Sequence, residues 1–134
     1  FTGEADGHQV VMDTKTPIGD GSALSPKQLL LASIMGCTAM DVVAWLRKHK
    51  QPLESLHVEA DAPLTEGVYP AIFTEVRLTF RAKGPMDQAR LLEAVTLSQT
   101  KYCGVSAMVS KAVPIHYTVE LDGMTVGTGH ANFK

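Results

Sequence analysis

Residues 25–52 read SPKQLLLASIMGCTAMDVVAWLRKHKQP, and their pattern decides the fold. Ser25 is a helix-capping residue type, and Pro26 suits the first helical position, where no amide hydrogen is needed. Apolar residues follow without strand alternation until Gln51-Pro52, so the spacing predicts one helix from Pro26 to about Lys50. Leu29, Leu30, Leu31, Ile34, Met35, Met40, Val42, Val43, Trp45 and Leu46 cover most of its circumference. A sheet buries only one stripe of a helix. A helix apolar on several sides needs a second cover, and for a chain of 134 residues another copy is the simplest one. The expectation is an obligate homodimer with these helices at its centre. The alternative is a helix wrapped wholly by its own chain. Asp41, the small residues and the flanking Lys27, Arg47, Lys48 and Lys50 argue against a membrane span, so no membrane partner is expected.

The segments around this helix read mostly as strands. Phe1 to Lys15 is strand material with a turn at Gly7, and Thr16 to Leu24 is a loop rich in turn residues. After the helix, Glu54 to Asp61 and Tyr69 to Lys83 alternate apolar and polar residues as strands do. Gly84-Pro85 is a break. Met86 to Thr100 carries apolar residues at helical spacing, and a short helix, Gly104 to Lys111, follows Cys103. Pro114 to Leu121 is a strand, with Asp122-Gly123 a tight turn into Met124-Thr125-Val126. Gly127 and Gly129 read as a flexible end. The order predicts an α+β fold, a long helix packed on an antiparallel sheet, in a single domain over residues 1–134.

Composition excludes several functions. A net charge of −2 and a pI near 6.2 give no electrostatic case for nucleic acid. The five histidines (His8, His49, His57, His116, His130) have no ligand spacing among themselves or with the cysteines, so no metal is expected. No nucleotide fingerprint or phosphate-binding loop is present, and no cofactor is expected. Two cysteines are too few for a secreted disulfide scaffold, and no signal-peptide pattern is read; a reducing cytoplasm is the expected compartment.

Those two cysteines are the candidate chemistry. Cys37 lies inside the long helix, where Ser33, Asp41, Ala44 and Lys48 share its face at 100° per residue. That stripe reads either as a site or as a helix-packing seam. Cys37 is roughly three turns from the helix start, beyond the reach of the dipole, so its activation needs a cation or donors from elsewhere in the fold or from a partner chain. Asp41 would hold such a cation or pair with a buried base. Cys103 precedes a helix start, where free amides favour a thiolate; on electrostatics alone it reads as the better thiolate. Both thiols also fit the commoner role of small buried hydrophobes.

The stretch Ser25-Pro26-Lys27-Gln28-Leu29-Leu30-Leu31-Ala32, with Gly36-Cys37-Thr38-Ala39-Met40-Asp41-Val42-Val43, resembles the central helix of the OsmC/Ohr family. This family comprises the osmotically inducible protein C and organic hydroperoxide resistance proteins. Ser98 to Ser106, containing Tyr102-Cys103, resembles its second-cysteine region, and Gly7-His8-Gln9-Val10 with Asp13 its N-terminal hairpin. The resemblance is nearest to the OsmC-like branch. It implies an intertwined α+β homodimer that reduces hydroperoxides, preferring organic ones. It implies Cys37 as peroxidatic cysteine, Cys103 as resolving cysteine, and an external dithiol reductant; the helical stripe adds Ser33 and Asp41 as candidate supporting residues. The chain departs from the peroxidases in carrying Lys27 where they have a glutamate and in having no arginine before Arg47; Arg47, Arg90 and Lys101 are the substitute cations. The competing readings are a non-enzymatic dimeric binding or redox-sensing protein using an apolar interface pocket, and an orphan dimer with structural thiols.

Overall fold

The structure is a computed structural model describing residues 1–134. The chain forms two compact units, Phe1–Ser33 and Ile34–Lys134.

In the first unit, β1 (Thr2–Ala5) and β2 (His8–Val11) form an antiparallel hairpin. Asp6 and Gly7 both take positive φ, 50° and 78°, which matches the mirror-image turn that the twist of a two-residue hairpin favours. The loop after β2 is organised by one carboxylate. Asp13 accepts from the amides of Thr14 (2.8 Å), Asp20 (3.1 Å) and Ser22 (3.0 Å) and from the Ser22 hydroxyl (2.8 Å). These donors, those of Ser22 foremost, hold its carboxyl well below the usual range. The helix α1 (Pro26–Lys48) then starts in a reciprocal cap. The Gln28 amide donates to Ser25 Oγ at 3.4 Å and the Ser25 amide to Gln28 Oε1 at 2.9 Å.

In the second unit α1 ends where Lys50 takes φ 54° and the Gln51 amide returns to the Leu46 carbonyl at 2.9 Å. This left-handed cap stops the helix before Pro52 does. β3 (Ser55–Asp61), β4 (Val76–Lys83), β5 (Ile115–Leu121) and β6 (Met124–His130) form one sheet in chain order. Val76, Leu78, Phe80 and Ala82 of β4 lie on the same face as Ile115, Tyr117 and Val119 of β5, and all are buried. Helix α2 (Gln88–Leu97) covers this face, lies against β5 and β6, and buries Leu91, Ala94 and Val95. The opposite face is polar: Arg81 bridges Glu59 and Glu120, and Arg77 bridges Asp61 and Glu75.

The α+β class is as expected, with three corrections. The sheet is mixed rather than antiparallel, because β4 and β5 run parallel. Parallel neighbours need a crossover of a dozen or more residues, and residues 84–114, with α2, a π-helical turn (Ser98–Tyr102) and α3 (Gly104–Val109), supply it. The strand expected from Tyr69 begins only at Val76. Residues ahead of it form a loop whose amides close on itself, Thr65 to Ile72 at 2.8 Å and Thr74 to Pro63 at 2.9 Å. Gly127 and Gly129 are not a flexible end but lie within β6, where close packing requires them. A Cβ on Gly129 would lie 2.4 Å from the Tyr117 hydroxyl and 2.5 Å from its ring.

Tyr117 is buried and its ring packs edge-on to Phe80 at 6.3 Å, so it has little room to yield. Gly129→Ala is therefore expected to lower stability by about 1–3 kcal/mol in urea denaturation. An unchanged midpoint would show that Tyr117 moves aside freely.

Candidate functional site

Four buried or half-buried polar side chains join α1 to the π-helical turn. Gln99 Nε2 donates to Thr38 Oγ1 (3.0 Å), Thr38 and Ser98 hydroxyls share a bond of 2.7 Å, and Ser98 Oγ donates to Asp41 Oδ2 (2.9 Å). Ser98 has one proton and gives it to Asp41, so Thr38 is the donor in the middle bond. Every donor in the chain thus points toward the carboxylate. The π-helical turn makes this possible: its wide winding, closed by the Cys103 amide on the Ser98 carbonyl at 2.9 Å, leaves both Ser98 and Gln99 fully buried. The Asn132 amide also binds the Gln99 carbonyl at 3.0 Å.

Cys103 ends that turn and caps α3, accepting from the Ser106 amide at 3.3 Å. The sequence reading placed it at a helix start, and the structure does so. It does not support the expectation that Cys103 is the better thiolate. The thiol is completely buried, and burial pushes its pKa up to about 11. One amide contact on a six-residue helix is a smaller effect than loss of water around a thiolate.

Cys37 Sγ, Cys103 Sγ and a carboxylate oxygen of Asp41 lie within 4.8 Å of one another. Cys37 and Asp41 are half-buried, one helical turn apart on α1. No basic side chain of its own chain pairs with Asp41, and its side-chain hydrogen bond comes from Ser98. Ser33, grouped with Cys37 on the helical wheel, is exposed and donates its hydroxyl to the Leu29 carbonyl at 2.9 Å. The substitute cations are engaged elsewhere or open to solvent. Arg90 pairs with Glu93 at 2.9 Å, Lys101 sits 5.2 Å from the Tyr102 ring centroid, and Arg47 is exposed. Thr38, Ser98 and Gln99 were not singled out from sequence. Their signal, polar residues on otherwise buried helix faces, is visible only once both helices are placed.

A cavity of about 340 Å3 opens beside Asp41. Ala44, Ala94, Leu97 and the rings of Trp45 and Tyr102 line it, with Lys48 at its wall. It is mostly apolar, with Asp41 as its acidic wall.

A family model described as OsmC-like protein matches residues 19–118. The chain belongs to the OsmC-like protein family. Protein YhfA of Escherichia coli (strain K12) is 38% identical over 123 residues, spanning 90% of this chain and 89% of its own. A hypothetical protein from Aquifex aeolicus VF5 is 32% identical, with a TM-score of 0.73 over 82% of this chain and 86% of its own. An organic hydroperoxide resistance protein OsmC from Legionella pneumophila shares the OsmC-like fold, with a TM-score of 0.63 at 19% identity over 86% of this chain and 84% of its own.

Two outcomes follow for this OsmC-like site. Thr38→Val keeps the shape but leaves Gln99 Nε2 and Ser98 short of partners, so a loss of about 1–3 kcal/mol is expected on denaturation. A neutral result would mean that water replaces the hydroxyl. In a Cys37→Ser chain, Cys103 is expected to show no thiolate absorbance at 240 nm at pH 8. A thiolate titrating below that pH would show that the α3 amides outweigh burial.

Proposed function

We propose that this protein is a thiol-dependent peroxidase acting on organic hydroperoxides, with Cys37 as the attacking thiol and Cys103 as the resolving one. The observation that carries this reading is the approach of the two sulfurs to within 4.8 Å beside a carboxylate and a mostly apolar cavity. Family membership and neighbours described as organic hydroperoxide resistance proteins support it.

The chemistry uses the inequality of the thiols. Cys37 is half-buried and can meet a peroxide; Cys103 is sealed off. The Cys37 thiolate attacks the outer peroxide oxygen, the O–O bond breaks, and the alkoxide takes a proton to leave as an alcohol. Cys37 becomes a sulfenic acid. Cys103 sulfur then displaces its hydroxyl, forming the disulfide and water; Asp41 offers an acceptor for the Cys103 proton on its way to the departing oxygen. Closing to the ~2 Å of an S–S bond brings the two sulfurs together from a separation of no more than 4.8 Å. An external dithiol restores both thiols by exchange. The cavity walls of Ala44, Ala94, Leu97, Trp45 and Tyr102 suit an alkyl or aryl group, which favours organic over hydrogen peroxide.

The same proposal includes a homodimer in a reducing cytoplasm. Of the residues of α1, only Ile34, Thr38, Val42 and Leu46 are buried, although its most apolar window has a mean hydropathy of 1.9. Length and composition alone would let α1 cross a membrane. A second copy answers the same uncovered surface, including Met40 at 74% exposure, while leaving Asp41 in its hydrogen-bonded setting.

The test is stoichiometric. Reduced protein, freed of reductant and given one equivalent of cumene hydroperoxide, is expected to lose two thiols and two hydrogens of mass within seconds. Cys103→Ser should instead stop at a sulfenic acid that dimedone traps, and Cys37→Ser should not react. Retention of both thiols over many minutes would remove the peroxidase reading and favour a binding protein built around the cavity.

A further inference from the structure

We propose that Cys37, Asp41 and Cys103 form a three-ligand site for Zn2+, with a fourth position open to water or an added ligand. Their donor atoms converge within 4.8 Å from two separate elements, α1 and the start of α3. Tetrahedral zinc bound at about 2.3 Å to sulfur and 2.0–2.2 Å to carboxylate oxygen sets its donors roughly 3.5–3.8 Å apart, which side-chain rotation can reach from donors within 4.8 Å of one another. Two thiolates and one carboxylate suit a borderline-soft divalent ion, whereas Mg2+ and Ca2+ prefer all-oxygen sites.

Two further observations fit a ligand site. Outer groups orient the donors: Ser98 Oγ holds Asp41 Oδ2 at 2.9 Å, leaving the other carboxylate oxygen free, and the Ser106 amide supports Cys103 Sγ at 3.3 Å. The fully buried Ser106 Oγ has no hydrogen-bond partner. There is also a way in, since Asp41 forms part of the wall of the adjoining cavity. No basic side chain pairs with Asp41, so a cation there displaces no salt bridge.

Sequence analysis singles out all three residues but not as a metal site. The expectation of no metal rests on histidine spacing, but the donors contain no histidine, and Cys103 joins Cys37 and Asp41 of α1 from a distant part of the chain. Binding releases two protons, one from each thiol, as the metal takes both sulfurs. Metal and disulfide are then mutually exclusive, because both need the same pair. The proposal stands on the meeting of the donors and is independent of peroxidase activity.

The experiment uses the reduced full chain without peroxide, under anaerobic conditions. Co2+ is titrated as a spectroscopic substitute and then displaced with Zn2+. One Co2+ per chain is expected, with a sulfur-to-cobalt charge-transfer band and the intense visible bands of four-coordinate cobalt. Cys37→Ser and Cys103→Ser should each reduce the charge-transfer band, and Asp41→Ala should weaken binding about tenfold or more, with circular dichroism confirming the fold. If those variants do not fold, Zn2+ is expected to protect both native cysteines from alkylation, and equal labelling with and without Zn2+ counts against the site. Absence of the band in the reduced native chain would overturn the proposal. So would a band unaffected by Asp41→Ala, which would indicate thiols binding metal without the carboxylate.

Discussion

Burying a hydroxyl or an amide without a partner costs more than most single contacts return, and this constraint organises the second unit. Thr38, Ser98 and Gln99 are all completely buried. Their hydroxyls and the Gln99 amide nitrogen bond to one another and end on Asp41, while Gln99 Oε1 stays without a partner. The bond between Thr38 and Ser98 joins positions 60 residues apart and ties the crossover to α1. A π-helical turn is an uncommon element, and here it has a definite role: it turns two successive polar residues inward together. Cys103 follows directly, so the turn that completes the polar chain also delivers the second sulfur.

The two thiols are set apart by burial rather than by the helix dipole. Cys103 has what a low-pKa cysteine needs on paper, a capping position and a donated amide. Complete exclusion from water overrides both and pushes the thiol up to about 11. The α3 helix has only six residues, so its dipole is small. Cys37, without a helix start nearby, is the more accessible of the pair. Accessibility and position favour one sulfur, and local electrostatics read from the chain favour the other.

Local signals were readable and long-range ones were not. Ser25-Pro26 marked the start of α1, and the structure shows the Ser25–Gln28 cap there. Asp122-Gly123 marked the turn between β5 and β6. Both depend on residues within one turn of each other. The parallel pairing of β4 and β5 was missed because alternation reports which face a residue takes, not which strand lies beside it. Gly127 and Gly129 were misread because small residues at a chain end look the same whether they are loose or tightly packed; only Leu92 and Tyr117 above them tell the difference. Cys37, Asp41 and Cys103 each stand out in the sequence, but the alternatives for Asp41, a cation or a buried base, do not include Ser98, which lies 57 residues away.

The position of the site on α1 connects its chemistry to the helix's uncovered surface. The buried stripe runs through Ile34, Thr38, Val42 and Leu46. Cys37 and Asp41 each precede a member of that stripe by one residue and are half-buried, so they lie at its margin. Thr38 faces the crossover, and Met40 faces solvent. A surface brought against the open side of α1 would therefore approach the thiol and the carboxylate from the side their own chain leaves exposed. In the proposed dimer that surface is the same helix of the second copy. Its arrival would remove water from Cys37 and Asp41, and any donor or cation that activates Cys37 would come with it. In that proposed dimer, the apolar face of α1 and the partly open site are two consequences of one requirement, a second cover on the helix.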